Sequence, residues 1–150
     1  MRIYPSVWGS IVHFSNTLIT DLKERRAEGN LSFLDWESHA NIHELPDTDL
    51  LGPTAFTVLE MSPQMFEITF AIAVSTYSSD KNLFRMRDYL SEAFERMRPN
   101  QQIKVFDDRT AQAVGYMIFT DGTMIAPMSR AETRPFQYVQ GSALLEPVLT

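Results

Sequence analysis

The chain has 150 residues, of which 44% are hydrophobic and 21% charged, and it contains no cysteine. This length and composition indicate one globular domain with its own core, and they exclude disulfides, thiolate nucleophiles and cysteine-ligated metals. The formal net charge of −6 argues against a protein that grips duplex DNA, because such proteins contact phosphates through a cationic surface.

The first predicted element is an amphipathic helix near the N-terminus. Its apolar residues recur at three- and four-residue spacings, which places them on one helix face: Val7, Ile11, Phe14, Leu18 and Leu22. Basic residues follow at 23, 25 and 26, where cations complement the helix dipole, and Gly-Asn at 29–30 is a stop signal. We therefore predict that this helix ends before residue 30.

Regular periodicity largely disappears between residues 30 and 53. This segment contains no lysine or arginine, and its acidic residues are Asp35, Glu37, Glu44, Asp47 and Asp49. It also contains Trp36, so it is not simply a solvated linker. A connection this long in a small domain is typically functional, disordered or held by another chain. We predict a loop or arm with one short strand at about residues 31–36.

Two strands and a second helix follow. Residues 54–61 and 66–74 alternate in the way that β-strands do, with a turn at Ser62-Pro63 between them. Residues 83–97 carry an apolar stripe at helical spacing, and Ser79 or Asp80 is expected to cap the helix N-terminus.

The last part of the chain is predicted to be β-structure. Strand patterns cover residues 102–106, 113–119, 123–127 and 132–142. Asp121-Gly122 favours a two-residue hairpin turn, and Pro135 indicates an edge strand because proline donates no hydrogen bond. The predicted fold class is α+β, with a mostly antiparallel sheet packed against two amphipathic helices in the order α-β-β-α-β-β-β.

The pattern of titratable residues does not indicate a catalytic or metal site. His39 and His43 lie four residues apart, but Ala40 occupies the position that a metalloprotease gives to glutamate. A catalytic triad with His13 would need a nucleophilic serine, and no serine in the sequence has the nucleophile-elbow pattern. Asp107-Asp108 is typical of a turn, because adjacent strand residues would point to opposite faces. No glycine-rich phosphate loop is present. We therefore expect no catalytic residue, no bound metal and no cofactor.

Charge patterning indicates an interaction surface instead. An acidic segment with apolar residues lies apart from arginine-bearing segments at 85–98 and 130–134, which permits a head-to-tail contact between copies that could close into a ring. The alternative is that these residues are satisfied within one chain. The candidate interface residues are Asp35, Trp36, Glu37, Glu44, Asp47, Asp49, Arg85, Arg87, Arg130 and Arg134.

The element order resembles that of the tail terminator proteins of long-tailed bacteriophages, also called tail completion or minor tail proteins. The resemblance covers nearly the whole chain: the opening amphipathic helix, the long alternating strand 66–74, the helix 83–97 running into Arg98-Pro99, and the closing segment 133–139. It implies an α/β sandwich and a hexameric ring that caps the tail tube, stops its polymerisation and joins it to the neck or connector protein.

The resemblance also implies partners and a location. The partners would be further copies of the chain, the tail tube protein and the neck or connector protein, with DNA only passing through an acidic lumen. The location would be the tail–neck junction of the virion, after assembly in the host cytoplasm. We expect no membrane association, because the sequence lacks a signal-peptide pattern and an apolar run of roughly 18 residues.

Two other functions remain open from the sequence. A neck or head-completion adaptor would also be a small ring-forming protein. A monomeric ligand-binding α+β domain would instead line a pocket with one aromatic sheet face, formed by Phe66, Phe70, Tyr116 and Phe136. Aromatic residues at a period of two more often form core than a pocket. The oligomeric state distinguishes the ring-forming proteins from the monomeric ligand-binding domain.

Overall fold

The computed structural model describes residues 1–25, 30–38, 45–77, 80, 83–131 and 134–147, with the side chains of 130 and 131 excepted. In this part of the chain the helices are α1 (Ile3–Arg25) and α2 (Phe84–Arg96). The strands are β1 (Leu31–Phe33), β2 (Asp49–Ser62), β3 (Met65–Ser75), β4 (Gln102–Phe106), β5 (Ala113–Phe119), β6 (Met124–Ile125), β7 (Ser129–Ala131) and β8 (Arg134–Leu145).

The strands form one mixed sheet in the order β1-β2-β3-β8-β5-β4, and β6 and β7 also pair with β8. Only the β1–β2 pair is parallel among the described strands. Both helices contact the sheet, α1 over β2 and β4 and α2 over β3 and β8. The predicted α+β fold, with a mostly antiparallel sheet and two helices, is confirmed.

Helix α1 buries the stripe that its sequence predicts. Val7, Ile11 and Leu18 are fully buried in the core, next to apolar residues of the sheet. Serines on the same face add polar anchors, since the Ser10 hydroxyl accepts a hydrogen bond from the Phe106 N–H at 3.0 Å. The helix is thus fixed to β4 by both apolar and polar contacts. No helix in the described ranges is long and apolar enough to cross a membrane.

Helix α2 begins where its sequence predicts because Asp80 caps it. The Asp80 carboxylate accepts hydrogen bonds from the N–H groups of Arg85 at 2.9 Å and Met86 at 3.1 Å. Leu83, just before the helix, has a left-handed backbone with φ 57°. The buried face of the helix consists of Met86, Tyr89, Leu90 and Ala93.

The predicted arm at 30–53 is shorter in the structure. Strand β1 forms within the predicted range, but β2 begins at Asp49, because residues 49–51 pair in parallel with residues 31–33. Between β1 and Asp49 the described residues 34–38 and 45–48 form no strand, and residues 39–44 lie outside the described part of the chain. Local periodicity misses the start of β2, because its pairing partner is distant in the sequence.

The predicted hairpin at Asp121-Gly122 is wrong. Strands β5 and β6 do not pair with each other but lie one after the other along β8. From Phe119 to Met124 the chain advances five positions, while their partners on β8, Ala143 and Gln140, are three apart. Asp121-Gly122 therefore lies in a bulge that interrupts one long strand, and Gly122 supplies the positive φ of 102° that the bulge needs.

The predicted edge position of the strand containing Pro135 is also wrong. Strand β8 is central, with β3 on one side and β5, β6 and β7 on the other. Pro135 is only the second residue of the strand, where a missing backbone donor costs little. The proline therefore marks the beginning of β8.

Candidate functional site

The two faces of the sheet differ in what covers them. The helices pack on the face that carries Ile68, Phe70 and Ile72 of β3, all fully buried. Segment 34–38 covers one end of the opposite face, where the Trp36 indole N–H donates to the Ala73 carbonyl at 3.1 Å and its ring packs on Phe136 at 5.1 Å. The other end of that face has exposed apolar side chains.

The register identifies the residues of this open end. Leu59 pairs with Glu67, Glu67 with Leu144, and Leu144 with Ile118, so these side chains form a row across β2, β3, β8 and β5 on one face. Leu59 is 58% exposed and Ile118 is 42% exposed. Tyr116, two positions before Ile118 and on the same face, is 48% exposed. Exposed apolar side chains therefore lie on β2 and β5 of this face, and Glu67 of β3 and the half-buried Leu144 of β8 lie between them.

Part of this open face is concave. A cleft of about 590 Å³ is lined by Met65, Pro99, Asn100, Gly115, Tyr116, Ile118, Phe119, Thr120, Asp121, Leu144 and Glu146. We call it the sheet cleft. Its apolar side chains come from β3, β5 and β8 and from Pro99, between α2 and β4. Two carboxylates, Asp121 and Glu146, stand among them, and Glu67 lies beside Leu144 in the row. The site is an apolar floor with an acidic rim.

A second patch lies on the helix side of the sheet. Leu83, Arg87 and Leu90 of the α2 region form a groove of about 390 Å³ with Ile125 and Met128. Phe84, beside Leu83, is 64% exposed, more than any other described large apolar residue. We call Leu83, Phe84, Arg87, Ile125 and Met128 the α2 patch. It is apolar with one cationic side chain.

Asp49 and Arg85, both predicted to lie at an interface, pair with each other inside the chain. Asp49 is only 4% exposed. Its carboxylate accepts hydrogen bonds from the Arg85 guanidinium at 2.8 and 3.2 Å, the Tyr77 N–H at 2.8 Å and the Tyr89 hydroxyl at 2.8 Å. Burial raises the pKa of Asp49, but these hydrogen bonds outweigh burial and hold the pKa below its ordinary value. The pair joins β2 to α2.

Arg134 is likewise used inside the chain. Its guanidinium donates to the carbonyls of Pro46 and Thr48, at 2.6 Å each, and lies over the Tyr77 ring at 5.6 Å. Burial lowers the pKa of Arg134, against the attraction of Asp49 and Asp47. This arginine fixes the segment before β2 to the start of β8. Asp49, Arg85 and Arg134 therefore make their polar contacts within one chain, which is the alternative to an interface between copies.

The other predicted interface residues are divided between loop and surface. Asp35 and Glu37 accept backbone hydrogen bonds, from Glu37 N–H and Phe56 N–H respectively, both at 3.1 Å. Asp47 and Arg87 are exposed. Glu44, His39 and His43 lie outside the described residues, as does the side chain of Arg130. Of the eight predicted residues whose side chains the structure describes, only Arg87 belongs to a patch identified above.

The remaining titratable candidates have structural contacts. His13 packs edge-on against Phe106 with ring centroids 6.0 Å apart. Asp107 accepts hydrogen bonds within its own turn, and Asp108 pairs with Arg2 and the Ser6 hydroxyl. Within the described ranges, histidine and acidic side chains nowhere form a group of three that could hold a metal ion.

The aromatic pocket considered in the sequence analysis does not form as one face. Phe66 and Phe70 belong to the helix-covered face, where Phe70 packs on Phe119, whereas Tyr116 lies on the open face. Sequence reasoning also missed Leu59, Ile118 and Leu144 as surface residues. Both faces of these strands carry apolar residues, so the sequence pattern does not indicate which face is exposed to solvent.

Neither the protein-family models nor the curated protein sequences match this chain.

Proposed function

We propose that this protein is a structural assembly protein of a bacteriophage tail. It forms a ring that caps the tail tube, stops tube polymerisation and joins the tube to the neck or connector. The observation that carries the proposal is the open end of the sheet, where Tyr116 and Ile118 of β5 and Leu59 of β2 present exposed apolar side chains on the same face. A contiguous apolar patch on a sheet face is typical of an interaction surface.

The partners of the proposed ring are of two kinds. Further copies of the chain, about six as in the family it resembles, complete the ring. The tail tube protein and the neck or connector protein bind its two ends, so that the protein resides at the tail–neck junction of the virion. DNA only passes through the lumen, in keeping with the net charge of −6. The proposed activity requires no cofactor, because termination follows from replacing one binding surface with another.

Ring closure explains how a modest patch would suffice. A contact that is weak between two free subunits becomes effectively intramolecular once most of the ring has formed. The final contact therefore stabilises the ring more than the same pair of surfaces stabilises a dimer of free subunits. A neck or head-completion adaptor ring would use the same patches and is an alternative of the same class.

One observation favours an alternative from another class. The sheet cleft, at about 590 Å³, has the volume of a small-molecule site. A monomeric α+β domain that binds an apolar ligand would use this cleft with its acidic rim. We place this function second, because the exposed Leu59 lies on the same face on β2, beyond the residues that line the cleft.

The mass of the purified protein in solution tests the proposal. Light scattering should give about six times the chain mass of 17.2 kDa, and negative-stain images should show rings. A strict monomer, at the highest soluble concentration and in the presence of tail tubes, would overturn the proposal. A monomer that also gains thermal stability with a small apolar ligand would support the ligand-binding alternative.

A further inference from the structure

We infer that the α2 patch of one copy docks in the sheet cleft of the next copy. This inference rests on the proposed self-assembly and assigns its surfaces. The two patches lie on opposite faces of one sheet: Ile125 pairs with Val139 on the helix-covered face, whereas Ile118 pairs with Leu144 on the open face. The patches therefore cannot meet within one chain.

The shapes of the two patches suit such a contact. Phe84 and Arg87 are exposed on the outer side of α2, one turn apart, and form a convex ridge at the edge of the groove that Leu83, Ile125 and Met128 line. The cleft is concave, and its floor is the flat side of three strands. A helix laid on a sheet face is the arrangement that already buries the other side of this sheet. The neighbour's α2 would complete a second helix layer.

The charges of the two patches are complementary. Arg87 forms no ion pair with any described residue, whereas Arg25, Arg85, Arg96 and Arg98 each have at least one. The acidic rim of the cleft, Glu67, Asp121 and Glu146, also forms no ion pair within the described ranges. An unpaired arginine beside Phe84 thus matches unpaired carboxylates around an apolar floor, which is the pattern that sets orientation in protein interfaces.

The geometry also determines the kind of assembly. Two different patches on one chain give a heterologous, head-to-tail contact, and repetition of such a contact yields a closed ring or an open filament. An isologous dimer would instead place the same patch on both sides of the interface. The proposed docking is therefore specific to a head-to-tail ring, and a cross-link between unlike positions identifies it.

The cysteine-free chain makes this cross-link direct to test. Two single-cysteine variants, Phe84→Cys and Ile118→Cys, are mixed under mild oxidation, and the disulfide-linked dimers are identified by mass spectrometry of the peptides. Both positions are exposed, so the substitutions leave the core intact. We expect the 84–118 heterodisulfide to predominate. The matched control mixes Phe84→Cys with Thr110→Cys, an exposed turn position outside both patches, and should give little product.

A charge reversal adds a second readout. Arg87→Glu places a carboxylate against the acidic rim, and we expect the yield of the 84–118 disulfide to fall at least about tenfold. Arg109→Glu makes the same change in charge at an exposed turn away from the patches, and the yield should stay unchanged. An equal loss in both variants would mean that net charge, and not this contact, controls the yield, which overturns the inference.

The outcomes separate the docking from the proposed function. Rings in solution without the 84–118 disulfide would overturn the docking and leave the proposed assembly function standing. A predominant 118–118 disulfide would replace the head-to-tail contact with a face-to-face dimer. A monomer that forms no cross-link, even with tail tubes present, would overturn both.

Discussion

The carboxylate of Asp49 and the guanidinium of Arg85 form a two-point ion pair beneath the protein surface. Arg85 Nε donates to Oδ2 at 2.8 Å and Nη2 donates to Oδ1 at 3.2 Å. The Tyr89 hydroxyl donates to Oδ2 as well, at 2.8 Å. The start of β2 is thereby tied to the first turns of α2. The two residues carry complementary charges, as the sequence analysis supposed, but they meet within one chain.

Substitution of Asp49 should therefore act on folding. Asp49→Asn keeps the shape of the side chain but removes the hydrogen-bonded counter-charge of Arg85, leaving only the Asp80 carboxylate at 4.0 Å. We expect a loss of about 3 kcal/mol in the free energy of unfolding measured in urea. Asp47→Asn is the matched control, because it removes the same charge from an exposed position two residues away and should cost less than about 0.5 kcal/mol. Equal effects of the two substitutions would contradict this account.

The same pair predicts how stability depends on pH. Hydrogen bonds from Arg85, Tyr77 and Tyr89 outweigh burial and hold the pKa of Asp49 below its ordinary value of 3.8. A depressed folded-state pKa contributes stability that is fully present above the unfolded value and is lost as pH falls through the folded value. The stability difference between the natural protein and Asp49→Asn should therefore shrink below about pH 4. A difference that stayed constant there would contradict the pairing.

A backbone crossing gives a third prediction. A Cβ atom on Gly52 would lie 1.6 Å from the carbonyl oxygen of Leu34, so only glycine fits where the chain after β1 crosses β2. Gly52→Ala should lower the free energy of unfolding by about 3 kcal/mol or more, since the obstacle is backbone that cannot rotate away. Gly9→Ala in α1 meets no atom within 4 Å and should instead stabilise by about 0.5–1 kcal/mol. Urea unfolding of both variants checks the contrast.

Trp36 provides a test that separates folding from assembly. Its indole N–H donates to the Ala73 carbonyl, and its ring packs edge-on against Phe136. Trp36→Phe removes the donor but keeps most of the aromatic packing, so we expect a loss of about 1 kcal/mol in stability and no change in the mass in solution. A fall in the mass in solution without a loss of stability would instead show that Trp36 contributes to the interface between copies, as the sequence predicts.

The extent to which the sequence predicts the fold depends on how local each signal is. The stripes of α1 and α2 and the alternation of β3 are local, and all three elements form as predicted. The start of β2 at Asp49 and the bulge at Asp121-Gly122 depend on pairing with distant strands, which periodicity does not report. The sheet cleft escapes prediction for a different reason: residues 116–119 are all apolar, so either face of β5 could have been the buried one.

Two neighbouring residues of β5, Met117 and Ile118, allow the contribution of the core to be separated from that of the open face. Ile118 faces solvent on the open side of the sheet, whereas Met117 is fully buried beneath the helices. Ile118→Ser should leave the free energy of unfolding within about 0.5 kcal/mol of the natural value and reduce the mass measured by light scattering. Met117→Ser removes a similar apolar side chain from the core and should cost about 3 kcal/mol. If Ile118→Ser kept the full mass, the open face would have no part in assembly, because its exposed apolar row would then be dispensable for every contact between copies.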